Sequence, residues 1–181
     1  MPYIFEASSR TTTVVTAINH VLATEGASGL TMRTIGRVSG VSPASLAHHY
    51  GNREHMLRVA ASRTGEARLQ EIDARRWREG VLAFLPSTSD GIVSARVWLA
   101  WCELWRADDS IALTMADNRA AERALLAEST DYQLVRDRLD LLFGVIEGLR
   151  AAVCPPDRPL PLPRARQLLD THLRQALAAA S

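Results

Sequence analysis

The chain of 181 residues contains no lysine, and all 21 of its basic residues are arginine. This bias indicates the base composition of the coding DNA, and we attach no function to it. The two cysteines, Cys102 and Cys154, lack the paired spacing of zinc ligands, so a structural zinc site is not expected. We expect two inert thiols, with a redox pair as the alternative.

Long apolar runs and enzyme motifs are also absent. No stretch of 18 apolar residues occurs, so a membrane-spanning helix is not expected. The opening MPYIFEASSR lacks the basic-then-apolar order of a signal peptide, and we expect a cytoplasmic protein. There is no nucleophile–base spacing, metal-ligand cluster or phosphate-binding glycine loop. We therefore expect no enzyme, no cofactor and no metal site.

Apolar residues recur at helical spacing along much of the chain. Its apolar content of 47% is sufficient for a sizeable core, and strand patterns are missing, which predicts an all-α fold. A polar arm ending at Arg10 is expected to precede the first helix. The first predicted helix ends at Glu25, and a long predicted helix begins at Asn52. The other predicted helices cover about 31–38, 42–49, 75–85, 92–106, 108–128, 131–153 and 164–179.

Residues Thr31 to Arg53 have the pattern of a helix-turn-helix. Thr31 and Ser42 are typical N-cap residues, and Pro43 stands at the first position of the second helix, where its missing N–H is not needed. Gly36 leaves room for another helix to approach, and Gly40 can adopt the positive φ of a tight turn. Such a unit can place its second helix in a DNA major groove, which predicts a DNA-binding protein.

The charge distribution agrees with this prediction. Residues 1–63 carry six arginines and three acids, a net charge of +3, whereas the remainder carries fifteen arginines and seventeen acids, a net charge of −2. A basic N-terminal part suits contact with phosphates by that part alone. We therefore assign residues 1–51 to a DNA-binding domain and 52–181 to a helical ligand-binding and dimerisation domain.

The N-terminal residues resemble the TetR family of transcriptional regulators over roughly residues 10–60. The resemblance is carried by Thr-x-x-x-Ile-Gly from Thr31 and by the order and spacing of Gly40, Val41, Ser42, Leu46, Tyr50 and Leu57. ArgValTrpLeuAlaTrp (96–101), Asn-x-x-Ala-x-Arg (118–123) and IleGluGlyLeu (146–149) are similar to the branch with the choline-responsive repressors of betaine synthesis. The resemblance implies a transcriptional repressor that a small-molecule ligand releases from its DNA.

The predicted contacts with double-stranded DNA divide into phosphate contacts and base contacts. Arg10, Arg33 and Arg53 are placed to meet phosphates, while the exposed side of the second helix offers a hydroxyl, small methyl-bearing side chains and histidines to base edges. The full predicted set is Arg10, Thr31, Arg33, Ser42, Pro43, Ala44, Ser45, Ala47, His48, His49 and Arg53. A dimer of such motifs is expected to bind a near-palindromic operator.

The last two predicted helices, separated by the proline-rich connector 154–163, suit pairing between two chains. Gly144 and Gly148 each cost a helix about 0.8–1.0 kcal/mol relative to alanine, so close approach of another helix is expected to compensate. That helix belongs either to a second copy or to the same chain. The predicted homodimer interface is Val135, Leu139, Leu142, Gly144, Ile146, Gly148, Leu168, Leu169, Leu173 and Ala176.

Three tryptophans on one predicted helix indicate either a core or a pocket for a small hydrophobic effector. If Glu103 points inward among them, a cationic effector is favoured through cation–π attraction. The predicted ligand-binding set is Trp98, Trp101, Cys102, Glu103, Trp105, Met115, Tyr132 and Phe143, with Trp77 and Phe84 as further candidates.

An alternative function is a helical protein-interaction module that has kept the fold and lost operator binding. Ala47, where the resembled family usually has tyrosine, and a short stretch at 124–133 favour this alternative. The intact basic positions and the Ser42–Pro43 helix start count against it.

Overall fold

The structure, a computed structural model, describes the backbone of residues 2–130 and 136–178 and the side chains within 10–130 and 138–175. These residues form eight α-helices and no β-strand, which confirms the predicted all-α fold. The helices are α1 (Pro2–Glu25), α2 (Met32–Ser39), α3 (Pro43–Tyr50), α4 (Arg53–Glu79), α5 (Ser89–Ala107), α6 (Ala112–Glu128), α7 (Arg136–Ala152) and α8 (Leu162–Ala178).

Two predicted boundaries are wrong. The residues up to Arg10 belong to α1 rather than to an arm, because nothing between Pro2 and Glu25 interrupts a helix, and proline is tolerated at the first position. The predicted helix at 75–85 is not separate from the preceding one. Helix α4 continues to Glu79, and Gly80 ends it with a φ of +55°, after which residues 80–84 form a 3-10 turn.

The chain divides by its internal contacts into two compact units, each made of two stretches. Unit 1 comprises Met1–Ala67 and Val97–Asn118, and unit 2 comprises Arg68–Arg96 and Arg119–Ser181. The division falls inside α4, α5 and α6, so each of these helices contributes residues to both units. The division into these two units reflects which residues pack together. The predicted domain boundary between residues 51 and 52 separates predicted functions instead, and it stays a prediction.

Unit 1 has one continuous hydrophobic core, in which the helix-turn-helix packs with the tryptophans of α5. Its buried members are Val14, Ile18, Val21, Leu22, Leu30, Ile35, Leu46, Tyr50, Met56, Leu57, Ala60, Ala61, Trp98, Trp101, Leu104, Ile111 and Met115. The Trp101 indole donates from Nε1 to Asn19 Oδ1 at 2.8 Å, and the Asn19 amide donates to Thr64 Oγ1 at 3.0 Å. This polar chain ties α1, α4 and α5 together inside the core.

Unit 2 combines an apolar core with arginine–glutamate networks. The Arg75 guanidinium donates to Glu79 and, at 2.9 Å, to the carbonyl of Leu85. Arg166 of α8 donates to the same Glu79 at 2.8 Å and to the carbonyl of Leu82 at 3.1 Å. The hydrogen bond from Arg75 is the main cause that lowers the pKa of Glu79 to about 2. One carboxylate thus links α4 and α8, and the arginines that hold it bind the turn after α4.

Candidate nucleic-acid interface

The first helix of the motif begins as the sequence predicts. Thr31 lies in an extended conformation before α2, and its Oγ1 accepts from the backbone N–H of Thr34 at 3.0 Å. This contact satisfies one of the free N–H groups at the helix start. Ile35 is fully buried and anchors α2 in the core of unit 1.

Two glycines shape the turn between α2 and α3. Gly40 adopts a φ of +71°, the left-handed conformation that L side chains rarely take. Gly36 faces this turn: a Cβ there would lie 2.8 Å from the carbonyl oxygen of Val41 and 3.3 Å from Pro43 Cδ. The close approach predicted for Gly36 is therefore present, and its partner is the turn and the start of α3.

The second helix starts at a capped serine followed by proline. Ser42 Oγ accepts from the N–H of Ser45 at 3.1 Å, and Pro43 occupies the first helical turn. Leu46 and Tyr50 point into the core, where burial raises the pKa of the Tyr50 hydroxyl. These two anchors fix which side of α3 faces outward.

The outward side of α3 is the recognition face, which consists of Pro43, Ala44, Ser45, Ala47, His48 and His49, all exposed. It carries the hydroxyl of Ser45, two alanine methyl groups and two imidazoles. The His49 ring stacks edge-on against Tyr50 with 4.6 Å between ring centroids, so its orientation is partly fixed. The face is small and projects no long side chain.

Arginines predicted to meet phosphates differ in their surroundings. Arg10 on α1 and Arg33 on α2 are exposed. Arg53 is engaged inside unit 1: its Nε donates to the carbonyl oxygen of Leu30 at 2.9 Å, and its Nη1 donates to Asp108 Oδ2 at 3.0 Å. Arg53 therefore joins the segments before α2 and after α5, a structural role that the sequence prediction missed.

Asp108 has its own local role in this contact. It caps the 3-10 turn after α5, since its Oδ1 accepts from the N–H of Ser110 at 3.0 Å while Oδ2 accepts from Arg53. The hydrogen bonds from Ser110, with those from Arg53, lower the pKa of Asp108. The carboxylate therefore stays ionised and available to Arg53 at neutral pH.

The predicted ligand-binding residues separate into several environments. Trp98, Trp101 and Met115 are fully buried in the unit 1 core, and Cys102 and Trp105 pack partly buried against it. The burial of these residues agrees with the interpretation of the tryptophans as core residues, one of the two that the sequence left open. Phe143 is buried in unit 2, where the guanidinium groups of Arg119 and Arg123 each lie 5.3 Å from its ring centroid.

The inward orientation considered for Glu103 is wrong. Glu103 is exposed and forms a surface ion pair with Arg106 at 3.2 Å, one turn along α5, because its position falls on the face opposite the buried tryptophans. Trp77 also lies outside the core: it is 80% exposed and stacks under the Arg76 guanidinium. Tyr132 lies outside the described residues.

Three of the predicted dimer-interface residues are in the core of the chain itself. Leu142, Ile146 and Leu169 are buried, so none is available to a partner, and the prediction for them is wrong. Helix α7 is apolar on more than one face, and periodicity alone did not identify the outer one. Leu139, Leu168 and Leu173 are half-buried; Val135 and the side chain of Ala176 lie outside the described residues.

The outer face of α7 consists of Leu141, Gly144 and Gly148. Leu141 is 60% exposed, and sequence reasoning missed it. Apart from the glycine's own stretch of α7, no described atom lies within 4 Å of a Cβ built on Gly144 or Gly148, so no other described helix of the chain makes the expected close approach. These three residues share one side of the helix, at steps of three and four.

The described residues contain no group of three or more His, Cys, Asp or Glu side chains able to hold a metal ion. None of the described helices is long and apolar enough to cross a bilayer. Both cysteines are free thiols. Burial raises the pKa of Cys154, whose Sγ donates to the carbonyl of Arg150 at 3.2 Å.

A capped helix-turn-helix on a three-helix N-terminal core, followed by a larger helical part, defines a helix-turn-helix transcriptional regulator. Residues 14–60 match the family model described as bacterial regulatory proteins, tetR family. Over these residues, about a quarter of its length, the chain is similar to the TetR family of transcriptional regulators.

Individual relatives extend the likeness over the whole chain. It is 29% identical over 183 residues to the HTH-type transcriptional regulator BetI of Rhizobium meliloti (strain 1021), covering 99% of this chain and 84% of BetI. A transcriptional regulator from Rhodococcus sp. Rha1 superposes with a TM-score of 0.80 at 18% identity, covering 93% of this chain and 96% of that one. The multidrug binding protein EbrR complexed with ethidium gives a TM-score of 0.62 at 22% identity, covering 90% and 97%.

Proposed function

We propose that the protein is a homodimeric repressor, acting in the cytoplasm, that binds a near-palindromic operator and is released by a small-molecule effector. The single observation that carries the proposal is the recognition face of α3. A capped start, two buried anchors and six exposed side chains suit this helix to entry into a major groove.

In this proposal, different residues position the protein on the DNA backbone and recognise the bases. Arg10 and Arg33 contact phosphates, together with N–H groups at the starts of α2 and α3. Ser45 and His48 hydrogen-bond base edges, and the methyl groups of Ala44 and Ala47 contact thymine. Because this face has few donors, DNA shape and dimer spacing contribute to specificity.

The first test compares two exposed arginines in a gel shift with the DNA upstream of the protein's own gene. Arg33→Ala should weaken binding to all sequences alike and reduce the slope of log affinity against log salt by about 2, since a dimer loses one phosphate contact per copy. Arg106→Ala removes an exposed arginine of the same unit, on α5, and should leave the affinity unchanged. Failure of the unaltered protein to shift this DNA, or any operator found by selection, would favour the protein-interaction alternative.

Dimerisation is proposed through the outer face of α7. Leu141 exposes an apolar side chain beside two glycines that leave space for a closely approaching helix, and a second copy would cover all three. Full burial of a leucine contributes about 1.5–3 kcal/mol, so covering the exposed 60% contributes about 1–2 kcal/mol per copy.

Leu141→Glu tests this interface by sedimentation equilibrium. Loss of two such contacts per dimer, about 2–4 kcal/mol, should raise the dimer Kd by roughly 30- to 1000-fold. Leu113→Glu is the matched control, since Leu113 is 83% exposed on α6 and lies outside the proposed interface. An equal effect of both substitutions, or a monomeric unaltered protein, would remove the support for this face.

Effector release requires that the ligand bind the DNA-incompetent state more tightly than the competent one. Helix α4 is the proposed coupling element, because only Gly51 and Asn52 separate it from α3 and it continues without interruption to Glu79. The structurally similar EbrR is a multidrug binding protein with bound ethidium. This similarity supports a small-molecule effector for this chain.

A further inference from the structure

The two serines at the start of α3 form a connected pair of hydroxyl groups. Ser42 Oγ accepts from the backbone N–H of Ser45 at 3.1 Å and donates to Ser45 Oγ at 2.9 Å. The Ser42 hydroxyl therefore uses its only proton on Ser45. Both side chains are exposed, and Ser45 belongs to the recognition face. The residue that caps α3 thus also contacts the hydroxyl that this helix presents to DNA.

The direction of the hydroxyl–hydroxyl hydrogen bond determines what Ser45 offers to a base. A serine hydroxyl has one proton and two lone pairs. Because a lone pair of Ser45 accepts the proton of Ser42, the proton of Ser45 is left for another acceptor, and the described residues provide none. Accepting one hydrogen bond also polarises the O–H group and strengthens it as a donor. Ser45 is therefore prepared to donate toward DNA.

Base edges in the major groove differ in whether they accept or donate. Guanine O6 and N7 and thymine O4 accept hydrogen bonds, whereas the N4 amino group of cytosine donates. A serine that rotates freely serves either kind of group, but a serine held as a donor favours the acceptors. The other polar side chains of the recognition face are His48 and His49, so the polarity of one hydroxyl has weight in the choice of base.

We infer that Ser42 is a positioning residue for base recognition: its hydroxyl holds Ser45 as a donor, so that the base Ser45 contacts is guanine or thymine in preference to cytosine. The inference rests on the proposed operator binding and adds a residue that selects a base through its neighbour. Docking of α3 in the groove displaces water from the two serines. A donor that faces another donor is then left without a partner, which makes the wrong base costly.

Binding-site selection with the full chain tests this role through Ser42→Asp. The operator position that Ser45 contacts is the one that loses its base preference in Ser45→Ala. Aspartate is as good an N-cap as serine, so α3 should keep its start. The carboxylate only accepts, so Ser45 donates to it and is left with lone pairs for the DNA. At that position, a preference for guanine or thymine over cytosine of roughly 2- to 10-fold, as one hydrogen bond provides, should reverse.

Two control variants separate this effect from changes in charge and in helix capping. Ser42→Thr keeps both the donor and the acceptor of the hydroxyl and should retain the base preference. Asn52→Asp adds the same negative charge at the start of α4, where Asn52 Oδ1 accepts from the N–H of His55 at 2.8 Å, so aspartate keeps this cap as well. It should lower the affinity for all sequences alike and leave the preferred base unchanged.

An unchanged preference in Ser42→Asp, or the same reversal in Asn52→Asp, would overturn the inference. If Ser42→Asp does not fold, Ser42→Ala decides. It removes the proton that holds Ser45, so guanine or thymine and cytosine should be bound almost equally at that position, and a retained preference would count against the role of Ser42. If the unaltered protein selects no sequence, the proposed function and the inference fall together, whereas a failure confined to base preference leaves operator binding in place.

Discussion

Arg53 offers a sharp test of how the helix-turn-helix is held in unit 1. The perturbation is Arg53→Met, which keeps much of the apolar stem and removes the guanidinium. Two contacts disappear: the hydrogen bond to the Leu30 carbonyl at 2.9 Å and the ion pair with Asp108 at 3.0 Å. The side chains are 37% and 18% exposed, so solvent screens the ion pair only in part.

The expected loss follows from these two contacts. A hydrogen bond from a charged donor contributes about 1.5–3 kcal/mol, and a partly exposed ion pair contributes about 0.2–1 kcal/mol. Because Arg53 retains access to water, we take the lower end of both ranges and expect the free energy of unfolding to fall by about 2 kcal/mol. Arg106→Met, at an exposed surface pair, should change it by less than about 0.5 kcal/mol.

Urea unfolding of the full chain measures these losses, and a double-mutant cycle with Asp108→Asn isolates the ion pair. The coupling between the two sites should be about 0.5–1 kcal/mol. Asp108→Asn should also weaken operator binding modestly and for all sequences alike, since Arg53 would be held less firmly at the start of α4. A coupling near zero, or an Arg53→Met protein as stable as the unaltered one, would refute the role assigned to this arginine.

Three further predictions follow from the local geometry. Gly36→Ala should lower the free energy of unfolding by about 1–3 kcal/mol, because its Cβ would meet the Val41 carbonyl at 2.8 Å, and stability equal to that of the unaltered protein in urea would contradict the close approach. Ser45→Ala should change the consensus obtained by binding-site selection, since it removes a base-contacting hydroxyl from the recognition face; an unchanged consensus would exclude that contact. The depressed pKa of Glu79 stabilises the fold above the unfolded-state pKa near 4.5, and this contribution should be lost as pH falls toward 2; pH titrations of stability for Glu79→Gln should be flatter over that range, and parallel curves would argue against it.

The local architecture of the DNA-binding end could be predicted from the sequence because its signals act over a few residues. The caps at Thr31 and Ser42 each bind an N–H three positions ahead, and the φ of Gly40 is a property of that residue alone. The exposed and buried sides of α3 follow from the spacing of Leu46 and Tyr50. Each of these features needs only the helical repeat to be recognised.

The contacts that the sequence could not reveal join residues far apart in the chain. Arg53 meets a carbonyl 23 positions before it and a carboxylate 55 positions after it, and Arg150 meets Glu122 across 28 positions. An arginine that pairs in the interior has the same sequence signature as one that faces DNA or solvent. Its role depends on which helices come together around it.

Helix α7 shows most clearly which features the sequence determines and which depend on tertiary packing. The sequence by itself determined that residues near 139–149 form an apolar helix, since steps of three and four suffice for that. Only the tertiary structure decided that Leu142 and Ile146 face the core while Leu141 lies outside beside Gly144 and Gly148. Periodicity predicts that a helix has apolar faces, whereas packing against the other helices decides which face is buried and which stays exposed.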